Sequence, residues 1–197
     1  MDLPVFLLDI SEDQQAETEV NYIALVDKPA IKMNWTAFKE APQRFAIDEE
    51  KRIVSGPLMV ADMKIYRKDE EFGEYWAVFT AEAIEKIAQK FYQKGFQSNV
   101  NLMHDGGMQV EGATMFESWI VDRDNGKMPL KGYEDISNGS WFGSFKVDNE
   151  SVWSMVKDGL IKGFSVEGMF QYKPKKQEMS EEQVLEKIKN LLAQISI

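Results

Sequence analysis

The only histidine of the chain is the first candidate for chemistry. His104 lies in the segment Val100-Asn-Leu-Met-His-Asp-Gly-Gly107, where it ends a predicted strand and begins a turn that contains two glycines. Side chains at the end of a strand are often presented to substrates, and a neutral imidazole can accept a proton at neutral pH. Since a lone histidine is more often an ordinary surface or partly buried residue, a second group is needed to argue for a site.

The second group lies in the segment Ile161-Lys-Gly-Phe-Ser-Val-Glu-Gly168. Because alternate residues of a strand share a face, we expect Ser165 and Glu167 on one side, about 7 Å apart along the strand. The ordinary alternative is a sheet whose outer face is simply solvated. The spacing does not match the Gly-x-Ser-x-Gly elbow of α/β-hydrolases, because Glu167 replaces the second glycine and a continuing strand is predicted.

Composition excludes several classes of protein. The chain has 197 residues, no cysteine and one histidine, so it has no disulfides, no cysteine nucleophile and no multi-histidine zinc site. A net charge of −10 argues against direct nucleic-acid binding. No apolar run reaches the ~20 residues of a membrane span, and Met1-Asp2-Leu3-Pro4 lacks the basic region of a secretory signal. We therefore expect a soluble cytosolic protein without membrane contact.

One metal-dependent alternative uses the histidine together with carboxylates. His104, Asp105, Glu111 and Glu117 could form a metal site of a hydrolase. The spacing of these residues matches no known metal-binding motif, and a transition metal is usually bound by more than one neutral ligand such as histidine. We expect neither a metal nor a cofactor.

Hydrophobic patterning predicts a chain rich in strands. Strands are predicted at 4–10, 19–26, 44–48, 52–55, 57–66, 75–79, 98–103, 109–122, 140–147 and 161–172, with a break at Gly56-Pro57. Helical spacing predicts one helix from Thr80 as N-cap to Gly95, and another from Asp148 as N-cap to Asp158. Because strands and helices do not alternate regularly, we predict an α+β fold, a mainly antiparallel barrel or sheet with flanking helices.

Three parts of the chain are expected. Residues 1–43 form an N-terminal β segment packed on or extending the core, and residues 44–173 form the core domain. Residues 174–197 combine a linker with an amphipathic helix, which Ser180 and Gln183 begin as a capping box. That helix either docks on the body of the protein or binds a partner.

Three motifs in this order resemble the bacteriophage prohead maturation proteases, in their phage serine-protease branch. They are His104 within N-L-M-H-D, the strand G-S-W-F-G-S-F-K-V, and, after a short helix, I-K-G-F-S-V-E-G around Ser165. The resemblance covers roughly residues 45–172. Since these enzymes resemble the herpesvirus assemblins, it implies an assemblin-like fold.

The resemblance also implies roles for individual residues. Ser165 would be the nucleophile and His104 the general base that activates its hydroxyl. Herpesvirus members orient the base with a second histidine, which this chain lacks, so an acid or nothing must take that place. Glu167 is the first choice, with Glu117 and Asp105 as alternatives.

The oxyanion hole departs from the family pattern. Assemblin-type enzymes use an arginine segment after the active strands, but no arginine follows Arg123. Backbone N–H groups would have to stabilise the oxyanion, with Lys162 or Lys173 as further candidates.

The function implied by the resemblance is maturation of a phage procapsid. The protein would be a serine endopeptidase that cleaves scaffold and major capsid proteins, and also itself, inside the assembling shell in the host cytoplasm. A homodimer is a further implication of the resemblance. The alternative is a catalytically inactive homologue that serves as a capsid-assembly or virion structural protein and docks through its C-terminal helix.

Overall fold

The computed structural model describes residues 3–28 and 46–175. Two helices are present in these ranges, α1 (Ala81–Gln93) and α2 (Glu150–Lys157). The described strands are β1 (Val5–Asp9), β2 (Glu19–Val26), β3 (Ala46–Asp48), β4 (Ile53–Met59), β5 (Ile65–Asp69), β6 (Gly73–Phe79), β7 (Val100–Leu102), β8 (Asp105–Gln109), β9 (Ala113–Ile120), β10 (Trp141–Val147), β11 (Gly163–Met169) and β12 (Gln171–Pro174).

The strands form three sheets of four. The first sheet has the order β12-β1-β6-β5, the second β3-β4-β10-β9 and the third β11-β2-β7-β8. Strand pairing is antiparallel except for β1 with β6 and β2 with β7. The fold is therefore a mostly β-sheet α+β arrangement, and within the described ranges the sheets are not closed into a barrel.

The two N-terminal strands lie inside the sheets rather than beside them. β1 is hydrogen-bonded between β12 and β6, and β2 between β11 and β7. The end of β2 is apolar on both faces, and Ile23, Ala24 and Leu25 are fully buried. A strand buried on both faces reads as a continuous apolar run, which is why this segment occupies a central position.

Helix α1 covers the core and anchors the connection between β1 and β2. The Thr80 hydroxyl caps the helix by accepting from the backbone N–H of Ala83, at 3.2 Å. Lys90, only 3 % exposed, donates through Nζ to four backbone carbonyls of that connection, those of Ser11, Asp13, Ala16 and Thr18. A buried ammonium group requires such partners, so this lysine holds the loop that leads into β2.

The predicted break at Gly56-Pro57 is wrong, because β4 runs through both residues. Proline has no N–H to donate to a neighbouring strand and is tolerated where a strand has a free edge. On one side of β4, the described strand β3 pairs only with Ile53–Ser55. On that side, no described strand of the second sheet lies beside Pro57. The predicted strand at 57–66 is also wrong, since β4 ends at Met59 and β5 begins at Ile65.

The predicted strand at 161–172 is in fact two strands in different sheets. β11 pairs with β2 in the third sheet and β12 with β1 in the first. The register of β11 shifts between Glu167 and Gly168, and a Cβ at Gly168 would overlap the carbonyl of Glu19. Only glycine permits this close approach of two backbones.

Further elements differ from the sequence predictions, among them the strand predicted at 109–122, which is β9 and covers only Ala113–Ile120. α2 is capped by Asn149 rather than Asp148, because the Asn149 side chain accepts from the N–H of Val152 at 3.1 Å. Residues 105–109 form β8, which was not predicted, so Gly106 and Gly107 lie in a strand and not in a turn.

The linker and the C-terminal helix predicted for 174–197 lie outside the described residues from 176 onward. Across the described ranges, neither helix has the length and apolar character needed to cross a membrane.

Candidate active site

His104 is presented by a tight turn at one end of the third sheet. Met103 and His104 connect β7 to β8, and Leu102 pairs directly with Asp105 across the turn. Both turn residues have positive φ, 54° and 63°, the signature of a type I′ hairpin. Few residues other than glycine adopt this conformation, but histidine is among those enriched there. The conformation of the turn therefore fixes the direction in which the His104 side chain leaves the backbone.

Glu167 contacts this imidazole directly. Its Oε1 lies 2.9 Å from His104 Nδ1, and the two side chains are 26 % and 43 % exposed. A carboxylate at this distance favours the tautomer with its proton on Nδ1, so Nε2 is left as the acceptor. The arrangement is that of an orienting acid behind a general base.

Asn101 is a third member of the group that sequence reasoning missed. Its Nδ2 donates to the same Glu167 Oε1 at 2.7 Å, and the residue is 1 % exposed. A polar residue in the short buried strand β7 is the signal that could have revealed it, since buried amides are kept where they are hydrogen-bonded. Asn101 Nδ2 and His104 Nδ1, both in the β7–β8 hairpin, thus contact the same carboxylate oxygen of Glu167 on β11.

Ser165 lies on the same face of the third sheet. It pairs with Ala24 of β2, and Ala24 pairs with Asn101 of β7, so the three residues form one row across the sheet. Strand spacing puts Ser165 about 10 Å from Asn101, measured between backbones. Ser165 is 5 % exposed, and its hydroxyl forms no hydrogen bond with any residue that the structure describes, His104 included.

The other two carboxylates predicted as alternatives are placed elsewhere. Glu117 lies on β9 of the second sheet and accepts from the Ser144 hydroxyl at 2.7 Å. Asp105 Oδ1 accepts from the N–H of Gly107 at 2.9 Å, within its own strand. Of the three acids, Glu167 is the one that the structure brings to His104.

The residues considered for an oxyanion hole remain separate from this group. Lys173 lies on β12 of the first sheet and pairs with Asp9 at 2.8 Å, and Lys162 precedes β11. In the described part of the third sheet β11 is an edge strand. Its backbone N–H groups that point away from β2 are therefore candidates to donate to an oxyanion.

The metal site considered from the sequence is not assembled. Among residues 3–28 and 46–175, no three histidine or acidic side chains are close enough together to hold a metal ion. The third sheet thus carries an acid-supported imidazole and, on the same face, a serine hydroxyl.

Comparison with known proteins gives one finding. No curated protein and no solved structure matches the chain. The family model described as "Putative phage serine protease XkdF" matches residues 44–173, a range that contains Asn101, His104, Ser165 and Glu167 but not β2. Because the match spans well over half of the chain, the protein belongs to this family of phage serine proteases.

Proposed function

We propose that the protein is a serine endopeptidase of phage prohead maturation, with Ser165 as nucleophile, His104 as general base and Glu167 as the acid that orients the base. One observation carries the proposal. The contact of 2.9 Å between Glu167 and His104 Nδ1 lies on the sheet face that also carries an unbonded serine hydroxyl. Membership of a phage serine protease family supports the same assignment.

The chemistry is an acyl transfer in two halves. Ser165 Oγ attacks the carbonyl carbon of the scissile peptide bond while His104 Nε2 takes the hydroxyl proton. The tetrahedral intermediate collapses, the C–N bond breaks, and the imidazolium gives its proton to the leaving amine. Water, deprotonated by the same imidazole, then hydrolyses the Ser165 ester.

Glu167 and Asn101 act behind the base. The carboxylate holds the Nδ1 proton and stabilises the imidazolium that forms during attack. Asn101 donates to the same oxygen, which restricts the rotation of the Glu167 side chain. Ser165 and His104 form no hydrogen bond in the structure, so the proposal requires that one forms when substrate binds, as happens in enzymes whose catalytic contacts tighten in the complex.

The biological setting is part of the proposal. The substrates are scaffold and major capsid proteins, together with the protease's own chain. The protein adopts an assemblin-like fold and works as a homodimer in the assembling procapsid of the host cytoplasm. What supports this setting is the family match together with the order of the His104 and Ser165 motifs.

The test is covalent labelling of the nucleophile. A fluorophosphonate probe is incubated with the full-length wild type, Ser165→Ala and Ser144→Ala, and labelled peptides are identified by mass spectrometry. Wild type and Ser144→Ala should carry one adduct, on Ser165, and co-expressed scaffold protein should be processed by these two proteins alone.

Two results contradict the proposal. The first is normal scaffold processing by Ser165→Ala. The second is a folded wild-type protein that neither labels nor processes scaffold, which would favour the non-catalytic assembly protein.

A further inference from the structure

A cavity of about 230 Å³ opens beside Ser165. It lies where the first sheet, the end of β4 and the edge strand β11 meet. Most of the side chains that line it are apolar, and they include Leu58, Val60, Ile65, Phe79, Val166 and Phe170. Side chains of this kind favour an apolar group over an ion.

The size of the cavity corresponds to one amino-acid side chain. An apolar protein cavity of roughly 150 Å³ is large enough to bind benzene. A volume of about 230 Å³ therefore accommodates a leucine, methionine or phenylalanine side chain, and it is too small for a folded segment.

The charge at the cavity argues against a basic occupant. Arg67 is the single charged residue among those that line it in the described structure. Arg67 is exposed, its Nη1 donates to the Tyr66 carbonyl at 3.1 Å, and it forms no ion pair with a described residue. A second cation placed beside this guanidinium would be repelled.

The position of the cavity relative to β11 indicates which substrate residue enters it. Peptides commonly bind by adding a strand to an exposed sheet edge, so that alternate side chains enter pockets. β11 is an edge strand of the described third sheet, with Ser165 in its buried first half and Gly168 and Met169 at its exposed end. Ser165 lines the cavity together with its chain neighbours Phe164 and Val166, so the cavity is within reach of a side chain next to a carbonyl held at Ser165.

We propose that this cavity is the specificity pocket for the residue on the amino side of the scissile bond, and that it selects leucine, methionine or phenylalanine over lysine or arginine. This inference rests on the proposed role of Ser165 as nucleophile. The substrate class is thus a polypeptide cut after an uncharged apolar residue.

The test uses phosphonate probes that react with a serine nucleophile. Peptidyl diphenyl phosphonates that differ only in the first residue, with leucine, phenylalanine, lysine or aspartate side chains, are compared with a small alkyl fluorophosphonate. Apolar probes should label the full-length protein at least about tenfold faster than the lysine probe, the discrimination expected of a hydrophobic pocket.

Matched variants locate the preference in the cavity. Val166→Trp fills the pocket and should abolish the advantage of the phenylalanine probe while the small alkyl probe still reacts. Met169 lies on the same strand but is 54 % exposed and outside the cavity. Met169→Trp should therefore keep the advantage of the phenylalanine probe. Arg67→Glu should raise labelling by the lysine probe several-fold.

The outcomes separate the two proposals. If the alkyl probe labels Ser165 but the peptidyl rates do not depend on the first residue, or the lysine probe is fastest, the pocket assignment is overturned and the nucleophile stands. Loss of preference in both tryptophan variants also overturns the pocket assignment. If no probe labels the protein, both proposals are overturned.

Discussion

Two sheets of the molecule each carry a buried serine near a glutamate. In the second sheet, Ser144 is 2 % exposed, donates to Glu117 Oε2 at 2.7 Å and lies 2.8 Å from the Ser55 hydroxyl, which donates to it. In the third sheet, Ser165 has an unbonded hydroxyl among the described residues, and Glu167 is bound to His104 instead. The two sheets use the same residue types, but the Ser144 hydroxyl is hydrogen-bonded and the Ser165 hydroxyl has no hydrogen bond to a described residue.

The difference shows that a serine beside an acid is not by itself a catalytic feature. The Ser144 hydroxyl is fully paired, as buried polar groups normally are, and it links three adjacent strands. The Ser165 hydroxyl has no such partner among the described residues, and it lies on the sheet face that carries an acid-supported imidazole, a combination more typical of a reactive site. The imidazole supplies what Glu117 cannot supply to Ser144, a neutral base with an oriented proton.

Removing the two hydroxyls should separate the sites most strongly. Ser165→Ala is expected to lower kcat/KM for a scaffold peptide by at least about 10³-fold, since no other group replaces the nucleophile. Ser144→Ala should stay within about threefold of wild type. Steady-state peptide cleavage measures both, and equal losses in the two variants would remove the distinction between the sheets.

Replacing the two acids should give the next largest contrast. Glu167→Gln offers an amide that can donate to His104 Nδ1 and so favours the wrong tautomer, which is expected to lower kcat by about 10²- to 10⁴-fold. Glu117→Gln should leave kcat within about threefold. Because this change weakens only the bond from Ser144, it should lower the free energy of unfolding by about 1–2 kcal/mol, as measured by urea denaturation.

Asn101 should have a smaller effect that depends on Glu167. Asn101→Ala removes one of the two donors to Glu167 Oε1 and is expected to lower kcat about tenfold with little change in KM, as for other residues that orient a catalytic ligand. In a Glu167→Ala background the same change should have no further effect on kcat. A full tenfold loss in that background would show that Asn101 acts on the fold rather than through the acid.

The smallest effect is expected at Ser55. Ser55→Ala removes one hydrogen bond to Ser144 and should reduce the free energy of unfolding by about 1 kcal/mol without changing kcat. Chemical denaturation followed by tryptophan fluorescence, with peptide cleavage as the control, measures both quantities. A loss of cleavage at unchanged stability would mean that the second sheet takes part in the chemistry.

The regular elements follow from local patterns, whereas the irregular ones depend on tertiary contacts. β1, β2 and β6 agree with the sequence predictions because they are short runs of β-branched and aromatic residues bounded by polar breakers, and α1 agrees because its apolar positions repeat with a period of 3.6. β8 could not be predicted, since its five residues are all exposed and include two glycines. It becomes a strand only by pairing with β7.

The same limit applies to the site. The shared face of Ser165 and Glu167 follows from strand alternation. The structure shows the contact of Glu167 with His104, and the catalytic role of Glu167 stays a prediction. The polar Asn101 within a buried strand is visible in the sequence, but its partner Glu167 is not, because that contact requires knowing that β2 inserts between β11 and β7. The type I′ turn at Met103 and His104 lacks the Asn-Gly or Asp-Gly pair by which such turns are predicted.

The central position of β2 also bears on when activity can arise during synthesis. Within the described third sheet, β2 is the strand that joins β11, which carries Ser165, to β7, which leads to the His104 turn. β2 (Glu19–Val26) precedes β11 (Gly163–Met169) by more than 130 residues in the chain. A growing chain therefore holds an incomplete candidate site until β11 has been added to β2.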